Sequence, residues 1–544
     1  MKVESIFKYF NSINADLFFC MVLFFASLKY VYGIRKIFDI VMYDESSYLF
    51  SGYHLLEKGF PDGQQAPLYA VWYFILSQFQ PNKIELFYLN FQVLAIVTPI
   101  IFYLLLRRYK LHIMASIIIS FLFMISFSNL PLSPKVSNFA LLVILMFFIL
   151  ATYAKKIFSY IGIVSFGSLL ASFIRPELFI AYLLLIFVYV SLIFIKTKEF
   201  KISDLMFFVV FLILSFFLLW GIGLPLKGGR ENAAIIQHFA VNWVEWSGSE
   251  LSGWTDSIEI FKQNFGDSDS FLSMLKNNPF MLFKHLGSNI LKVPYNAFGL
   301  LFVHSTIFFP RDFFILESVL LILLIIIYIF IKRKKIKYNI FKKINSQKRL
   351  LVSAIIYLFP VCLALLLIYP RFHYLVLSNT LVVIVISVLC VSNQIKDKLN
   401  KQLLFVGIIL IAISPNAIDA FAYKKSIGKR LGDLSNVKTI NFISSLNISK
   451  EVNILEAEGG YHYYLEENFK RVAEYYKNNQ SFNTFRQEYN ISMIVLTEKL
   501  MNDSRLKNDV EWKYFLENYE KIGFKMVDIP ETKRKLIFHE DLLL

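Results

Sequence analysis

Long apolar runs alternate with short polar segments along the chain up to residue 422. An α-helix rises about 1.5 Å per residue, so crossing the hydrocarbon core of a bilayer takes about 20 apolar residues. Runs of this size recur, and the pattern predicts a polytopic α-helical membrane protein with about 11 transmembrane helices. The predicted spans are residues 15–33, 85–106, 111–128, 137–154, 157–174, 177–195, 203–222, 313–331, 350–368, 374–392 and 403–421.

Three segments outside these runs are long enough to fold in water. Two are loops between predicted spans, at residues 34–84 and 223–312, and the third is the tail at residues 423–544. We therefore predict a transmembrane domain at 1–422, which includes both loops, and a soluble C-terminal α/β domain at 423–544. The strand-like apolar segments of the tail lie at 452–455 and 493–496.

The distribution of Lys and Arg predicts which side of the membrane each loop faces, because short cation-rich loops stay in the cytoplasm. On one predicted face the segment 332–349 alone carries nine of these cations. The other loops on that face hold Arg107, Arg108 and Lys110, then Lys155 and Lys156, then Lys196, Lys198 and Lys201, then Lys396, Lys398 and Lys401. Short connections on the opposite face carry single cations. This asymmetry predicts a multi-pass protein of the inner or plasma membrane, with an extracytoplasmic C-terminal domain.

The composition agrees with a membrane protein and argues against other classes. The chain is 56% hydrophobic and 18% charged, with a mean hydropathy of +0.55. Its net charge of +16 belongs to the membrane part, because residues 423–544 hold 19 Lys and Arg against 18 Asp and Glu. Loop cations account for the excess, so we expect no nucleic-acid partner. The three cysteines lie far apart in apolar runs and predict neither a disulfide framework nor a metal site.

Two adjacent carboxylates follow the first predicted span. Asp44 and Glu45 lie in a polar segment between Tyr43 and Tyr48. Desolvating carboxylates beside a bilayer is costly, so this position indicates a general base or an acid that binds an acceptor. The alternative is a solvated turn that caps the next helix, since Asp is a common N-cap residue.

Two arginines lie in tight turns on the same predicted face as the acid pair. The first turn holds Arg175, and the second holds Arg371 and His373. A guanidinium group matches phosphate oxygens and stays charged, so these residues suit a phosphate or pyrophosphate headgroup. The alternative is that they anchor the protein at the interface within an aromatic belt.

The loop at 223–312 adds aromatic and polar residues on this face. Trp243 and Trp246 could stack on a sugar and His238 could reach a phosphate, although tryptophans near water more often anchor a protein at the interface. The acid pair, the two arginine turns and this loop share one predicted face. Their combination favours a site for a lipid-linked anionic substrate.

The order and facing of these segments resemble the GT-C superfamily of membrane glycosyltransferases, which includes protein O-mannosyltransferases and lipid A aminoarabinose transferases. The likeness covers about residues 1–400 in architecture. It is carried by Asp44, Glu45, Tyr48, Pro67, Leu68 and Tyr69 in the first outer loop and by the turns at 175–177 and 371–374. Several members have another acid in the second outer loop that can help to hold a divalent metal. Here residues 129–138 contain no acid and include Lys135, so a divalent metal is possible without being implied.

The resemblance implies a glycosyltransferase that moves a sugar from a polyprenyl-phosphate donor to an acceptor hydroxyl at the extracytoplasmic face, with inversion at the anomeric carbon. Asp44 would deprotonate that hydroxyl, while Glu45 would share the role, orient Asp44 or face water. Arg371, Arg175 and His373 would hold the donor phosphate. The candidate acceptor or sugar contacts are Tyr48, Tyr69, Trp243, Trp246 and His238. The implied partners are the donor lipid, membrane lipid and a glycan, glycolipid or protein acceptor.

Two other functions would use similar residues. A transporter or flippase for a lipid-linked sugar would hold the phosphate with the same arginines while its helices rock. The sequence shows no clear inverted repeat and no charged residue clearly at mid-membrane, which disfavours a transporter. A ligase or polymerase of surface polysaccharide would instead place its catalytic residues in the loop at 223–312.

Overall fold

The protein is described here from a computed structural model, which covers residues 15–129, 135–195, 201–268, 270–302, 344–390, 401–417, 433–473, 476 and 480–543. These residues are mostly helical. The helices up to residue 222 are α1 (Ala15–Val31), α2 (Ile34–Ile37), α3 (Asp44–Tyr53), α4 (Leu55–Lys58), α5 (Pro67–Ser77), α6 (Lys83–Arg108), α7 (Ile113–Ile125), α8 (Val136–Ala151), α9 (Ile157–Ser172), α10 (Leu178–Ile195) and α11 (Ile202–Ile222). They are followed by α12 (Arg230–Ser247), α13 (Ser257–Phe265), α14 (Phe271–Asn277), α15 (Pro279–Phe302), α16 (Lys348–Leu367), α17 (Phe372–Cys390) and α18 (Lys401–Ile413).

Six helices among the described residues are long and apolar enough to cross a membrane. They are Ala15–Ile37, which joins α1 to α2, Lys83–Arg108, Leu178–Ile195, Ile202–Ile222, Lys348–Leu367 and Phe372–Leu389. Each coincides with a predicted span, so the helical prediction is confirmed at these six places. In Ile202–Ile222 only 11% of the most apolar window is buried, and such a surface requires apolar surroundings. The six helices are consistent with a multi-pass membrane protein.

Four other predicted spans correspond to shorter apolar helices. These are Ile113–Ile125, Val136–Ala151, Ile157–Ser172 and Gln402–Ile413. The sequence pattern overestimates their length because apolar residues continue into the turns beyond a helix end. The helix α7, for example, ends where Ser126 adopts an extended backbone with ψ 161°. The predicted span at 313–331 lies outside the described residues, so the number of eleven spans stays a prediction.

The described residues form two compact units, and the first contains most of the apolar helices. It comprises the described residues of Met1–Tyr32, Phe60–Val71 and Phe91–Asn416. Small residues let its helices approach closely, as is usual for helices that pack in lipid. Phe147 packs against Gly167 of α9, and Ser168 Oγ donates a hydrogen bond to the carbonyl of Leu178 at 3.0 Å.

The second unit contains a five-stranded sheet formed by the C-terminal part of the chain. Its strands are β1 (Val452–Leu455), β2 (Phe469–Arg471), β3 (Ile491–Leu496), β4 (Phe524–Asp528) and β5 (Lys535–His539), in the order β2-β1-β3-β5-β4. The strand β1 pairs in parallel with β2 and β3, whereas β5 pairs antiparallel with β3 and β4. Helices α19 (Ser435–Ser445), α20 (Tyr461–Tyr464), α21 (Phe482–Glu488), α22 (Glu498–Met501), α23 (Ser504–Lys507) and α24 (Val510–Asn518) accompany the sheet. The predicted C-terminal α/β fold is confirmed.

The second unit also contains two segments from the N-terminal part of the chain. They are Gly33–Gly59, which includes α3, and Trp72–Asn90, which includes the end of α5 and the start of α6. The sequence pattern assigned both segments to the transmembrane domain at 1–422. In the structure they group with the described part of Ala417–Leu544. The candidate acids Asp44 and Glu45 therefore belong to the unit that holds the sheet.

Candidate functional site

The acid pair begins a helix and its two side chains differ in exposure. The helix α3 starts at Asp44, with Tyr43 at the cap position, and the Tyr43 side chain makes no capping hydrogen bond to the helix. Asp44 is therefore a first-turn residue and does not occupy the N-cap position that the turn-capping interpretation gave it. Its side chain is exposed, whereas Glu45 is 0% exposed. The positive end of the helix dipole stabilises both carboxylates.

Glu45 lies in a buried polar network of the second unit. The hydroxyl of Tyr73 donates a hydrogen bond to Glu45 Oε1, and Asn90 Nδ2 donates to the same oxygen at 3.2 Å. Asn90 Nδ2 also donates to the Tyr73 oxygen at 2.9 Å, and Trp72 Nε1 donates to Asn90 Oδ1 at 2.8 Å. Tyr73 and Asn90 thus donate directly to Glu45, and Trp72 holds Asn90 in place. Its burial excludes the option that it simply faces water.

Two arginines of the first unit are linked by a series of aromatic rings that meet edge to face. The guanidinium carbon of Arg371 lies 4.1 Å from the ring centre of Trp254, and Trp254 meets His238 edge to face at 5.6 Å. His238 in turn lies 5.9 Å from Tyr374, whose ring is 5.0 Å from the guanidinium carbon of Arg175. We call these five residues the arginine–aromatic chain. It unites two predicted donor-binding residues with a predicted sugar contact.

His238 is the central and most buried member of the arginine–aromatic chain. Its side chain is buried, and its Nδ1 has no hydrogen-bond partner among the described residues. Burial lowers the pKa of His238 to about 3, and the charges of Arg371 and His285 act in the same direction. The imidazole is therefore neutral at physiological pH. Its free nitrogen lies in a cationic environment that suits an anionic or polar ligand.

The two arginines of the chain differ in how their charge is balanced. Arg175 Nη2 lies 2.6 Å from Glu177 Oε1, so its charge is largely compensated by its neighbour. Arg371 makes no ion pair within the described residues, and its guanidinium group lies over the ring of Trp254. His373 lies next to it in the same turn, with its ring 4.0 Å from that of Tyr374. Arg371 is consequently the member whose charge is available to a ligand.

The turn that carries Arg371 is held by the polar face of α15. His285, Asn289, Lys292 and Asn296 are spaced by four, three and four residues, which places them on one side of a helix. His285 Nε2 and Asn289 Nδ2 donate to the carbonyls of Leu367 and Leu366 at 2.9 and 2.8 Å. These two carbonyls lie at the end of α16 and lack partners within that helix.

Two further contacts join α15 to the turn that carries Arg371. Asn296 Nδ2 donates to the carbonyl of Pro370 at 2.8 Å, and Lys292 Nζ lies 4.5 Å from the ring centre of Tyr369. Lys292 also pairs with Glu245 of α12 at 2.5 Å. Because Pro370 and Tyr369 directly precede Arg371, these contacts fix the backbone from which its guanidinium group extends.

The remaining predicted contact residues are not members of the arginine–aromatic chain. Trp243 and Trp246 pack against a hydrophobic cluster of α12, α13 and α15, where the ring of Trp246 lies 6.3 Å from that of Phe239. Tyr69 is fully buried in the first unit and stacks at 5.5 Å on Phe139. Tyr48 is buried in α3 of the second unit. The structure therefore groups only part of the predicted set around the arginines.

The described residues of the second outer loop do not fit a divalent metal. Residues 129 and 135–138 of this loop, which the structure describes, include no acid, and the side chain of Lys135 is fully buried. Its Nζ donates to the carbonyl of Asn129 at 3.0 Å. A buried ammonium group repels a cation, so we assign no metal to this loop.

One group among the described residues brings metal-ligating atoms together. His54 Nδ1 lies 2.8 Å from Glu57 Oε2 and 3.0 Å from Glu467 Oε1. Both carboxylates are more than half exposed, and the positive charges of Lys58 and Lys83 act on Glu57. Hydrogen bonds and these charges account for the group without an ion. We therefore do not assign a metal here either.

Sequence reasoning missed the partners that hold the candidate residues. Asn90 is an amide within an apolar predicted span, and a polar residue at such a position signals an internal partner. The polar spacing on α15 was likewise visible in the sequence. Tyr73 carried no distinguishing signal, because aromatic residues surround it. No protein-family model and no curated protein matches the chain, so its function is inferred from these residues and their geometry.

Proposed function

We propose that the chain is a multi-pass membrane glycosyltransferase of the GT-C type. It would transfer a sugar from a polyprenyl-phosphate donor to an acceptor hydroxyl at the extracytoplasmic face. The observation that carries this proposal is the arginine–aromatic chain, in which Arg371 has no ion-pair partner among the described residues. Cations held beside aromatic rings match the two parts of a phosphate-linked sugar, the anionic group and the apolar sugar face.

The donor phosphate is the group that Arg371 would bind. The guanidinium group of Arg371 lies over the Trp254 ring, and those of its N–H groups that point away from the ring can donate to phosphate oxygens. As the sugar leaves, negative charge grows on the phosphate, and a cation placed there beforehand stabilises the transition state. Arg175 supports this role from the other end of the arginine–aromatic chain, and His373 lies in the same turn as Arg371.

The acceptor hydroxyl requires a base, and Asp44 is the better choice of the two acids. Its carboxylate is exposed at the first residue of α3, where an aqueous acceptor can reach it. Glu45 is buried and hydrogen-bonded, which suits the role of orienting the start of this helix. Asp44 would take the proton while the hydroxyl oxygen attacks the anomeric carbon, and the phosphate would leave with the bonding electrons. Direct displacement predicts inversion.

The first experiment identifies the donor. Lipid extracts of a strain lacking the gene are compared with extracts of the parent strain, and we expect an accumulated polyprenyl-phosphate sugar. The purified full-length protein is then reconstituted into liposomes with that donor. Formation of glycosylated product is measured with candidate glycan, glycolipid and protein acceptors.

The second experiment compares two arginines in the same kind of stack. Arg371→Gln should lower kcat on the order of 100-fold to 1,000-fold, as expected when a group that stabilises developing charge is removed. Arg108→Gln is the matched control, because Arg108 lies 3.7 Å from the ring centre of Tyr153 and has no proposed role. Asp44→Asn should lower kcat about 100-fold or more. Transfer at the wild-type rate in Arg371→Gln would contradict the proposal.

The same liposomes separate transfer from transport. A fluorescent donor lipid reports movement between leaflets, and we expect that rate to be unchanged in Asp44→Asn and Arg371→Gln. Loss of lipid movement together with absence of any transfer product would favour a flippase. Loss of transfer only on substitution within 223–312 would favour a ligase or polymerase.

A further inference from the structure

A glycine turn of the C-terminal domain has its shape fixed from within. Glu456 follows β1 and is 0% exposed, and its two carboxylate oxygens accept the backbone N–H groups of Gly459 at 2.5 Å and Gly460 at 2.8 Å. Arg471 of β2 lies 3.1 Å from Glu456 Oε1 and balances the charge. A carboxylate that receives two backbone N–H groups holds the turn in one conformation.

This turn packs directly on the start of α3 within the second unit. The carbonyl of Gly459 accepts a hydrogen bond from the backbone N–H of Tyr43 at 3.1 Å, and the carbonyl of Ala457 accepts the Tyr43 hydroxyl at 2.9 Å. Gly459 has φ +83°, and a methyl group there would overlap the Tyr43 ring. A methyl group at Gly460 would come 2.9 Å from Ser46 Oγ. The fit therefore leaves no space for side chains on the turn.

Tyr43 has a backbone conformation that needs such support. Its φ is 65° and its ψ is −121°, a combination that side-chain-bearing residues rarely adopt. Strained residues persist only where surrounding contacts determine them, and they gather at functional sites. Tyr43 directly precedes Asp44, so its conformation sets the direction in which α3 and its first carboxylate begin.

A second contact joins the same segment to the C-terminal domain. The carboxylate of Asp39 accepts the backbone N–H groups of Asn436 at 2.8 Å and Val437 at 3.2 Å, at the start of α19. Burial raises the pKa of Asp39, while these bonds and Arg534 act against the rise. The acid segment is thus bound both before Tyr43 and at Tyr43 itself.

We propose that the C-terminal domain is a positioning element for the acid pair, acting through the turn at Gly459 and Gly460. This inference rests on the proposed function, because it assigns the turn to the base of the same reaction. Glu456, Gly459 and Gly460 are positioning residues that touch no substrate. They hold Tyr43, and Tyr43 directs Asp44.

The first test compares two glycines with the same backbone angle. Gly459→Ala should lower kcat on the order of 100-fold, the cost of a displacement of about 1 Å, and leave the KM for the donor within about twofold. Gly523→Ala is the control, because Gly523 has φ +80° and an added methyl would meet only the end of the His539 side chain, at 3.1 Å. It carries the same backbone strain without touching α3. A normal kcat in Gly459→Ala would overturn the proposal.

The second test measures the contact without using activity. A β-carbon at Gly460 would lie 3.2 Å from Ser46 Cβ, close to the separation of about 3.8 Å found in disulfides. The full-length variant with Ser46→Cys and Gly460→Cys should form a disulfide under mild oxidation, seen as proteolytic fragments that separate only after reduction. A variant with Ser47→Cys and Gly460→Cys should cross-link far less, and absence of the Ser46 disulfide would overturn the proposal.

The outcomes distinguish the two levels of inference. Wild-type transfer in Asp44→Asn would overturn the base assignment of the proposed function. A strongly reduced kcat in Asp44→Asn with a normal kcat in Gly459→Ala would overturn only the positioning role. Reduced kcat in both, with normal kcat in Gly523→Ala, supports both.

Discussion

Removing one hydroxyl from the buried network around Glu45 should destabilise the protein more than an equivalent change nearby. Tyr73 is fully buried, and its hydroxyl donates to the Glu45 carboxylate. Tyr88 is also buried in the second unit, and its hydroxyl donates to the neutral carbonyl of Phe38 at 2.7 Å. Tyr73→Phe and Tyr88→Phe therefore remove the same atom, and they differ in the charge of the acceptor and in the hydrogen bond that the Tyr73 oxygen accepts from Asn90.

The expected magnitudes follow from the two kinds of hydrogen bond. A bond to a charged group contributes about 1.5–3 kcal/mol, whereas a bond between neutral groups contributes about 0.5–1.5 kcal/mol. The free energy of unfolding should thus fall by about 1–1.5 kcal/mol more in Tyr73→Phe than in Tyr88→Phe. This difference is roughly tenfold in the unfolding equilibrium. Tyr73→Phe should also lower kcat, because it loosens the residue that orients the start of α3.

The measurement is unfolding of the full-length protein in mixed micelles, followed by tryptophan fluorescence. A double-mutant cycle with Glu45→Gln isolates the pair, since Tyr73→Phe should cost only the neutral-bond value once the carboxylate is an amide. Equal losses for Tyr73→Phe and Tyr88→Phe would refute the view that Tyr73 satisfies a charged group. So would an unchanged cost of Tyr73→Phe in the Glu45→Gln background.

Two further predictions concern the first unit. Lys292→Met should lower kcat about tenfold or more because it frees the turn before Arg371, whereas Lys284→Met, on the same helix and 4.8 Å from the Trp246 ring centre, should not. Equal kcat values in Lys292→Met and Lys284→Met would contradict the view that α15 fixes the turn before Arg371. The folded pKa of His238 is about 3. The pKa of His238 in the unfolded chain is about 6.5. As the pH falls from 8 to 5, only the unfolded chain takes up this proton, so the free energy of unfolding falls by about 2 kcal/mol. In His238→Gln, the fall in the free energy of unfolding between pH 8 and pH 5 should be smaller by about 2 kcal/mol than in the wild type. The same fall in both proteins would contradict the lowered pKa of His238.

Apolar periodicity predicted the helices well and their ends less well. The six long helices were readable because about 20 uninterrupted apolar residues have few other uses. The end of α7 at Ile125 was not readable, since Ser126, Phe127 and Ser128 are residues that membrane-spanning helices also contain, while the backbone here leaves the helix. The membership of Gly33–Gly59 in the second unit also escaped the sequence pattern. It depends on contacts such as Tyr43 with Gly459, which are distant along the chain.

The candidate site was partly predictable for a related reason. Arg175, Arg371 and His238 stand out as charged or polar residues near apolar runs, and the structure links them through Trp254 and Tyr374. The sequence could not show which of the adjacent residues Asp44 and Glu45 is buried, because this depends on contacts with Tyr73 and Asn90. Trp243 and Trp246 look like sugar contacts by residue type. Their packing against the hydrophobic cluster could not be read from the sequence, and their role as sugar contacts stays a prediction.

The junction between Tyr43 and the glycine turn has a consequence for biosynthesis. The hydroxyl of Tyr43 and the carbonyl of Ala457 are 414 residues apart along the chain. A ribosome that adds about 5–20 residues per second needs roughly 20–80 s to deliver the second partner after the first. During that interval the backbone at Tyr43 lacks this contact, so the helix carrying Asp44 matures only after residue 457 has been synthesised. A chain that stops before Ala457 can still form its apolar helices, but Tyr43 then lacks the contact that supports the start of α3 and its carboxylate Asp44.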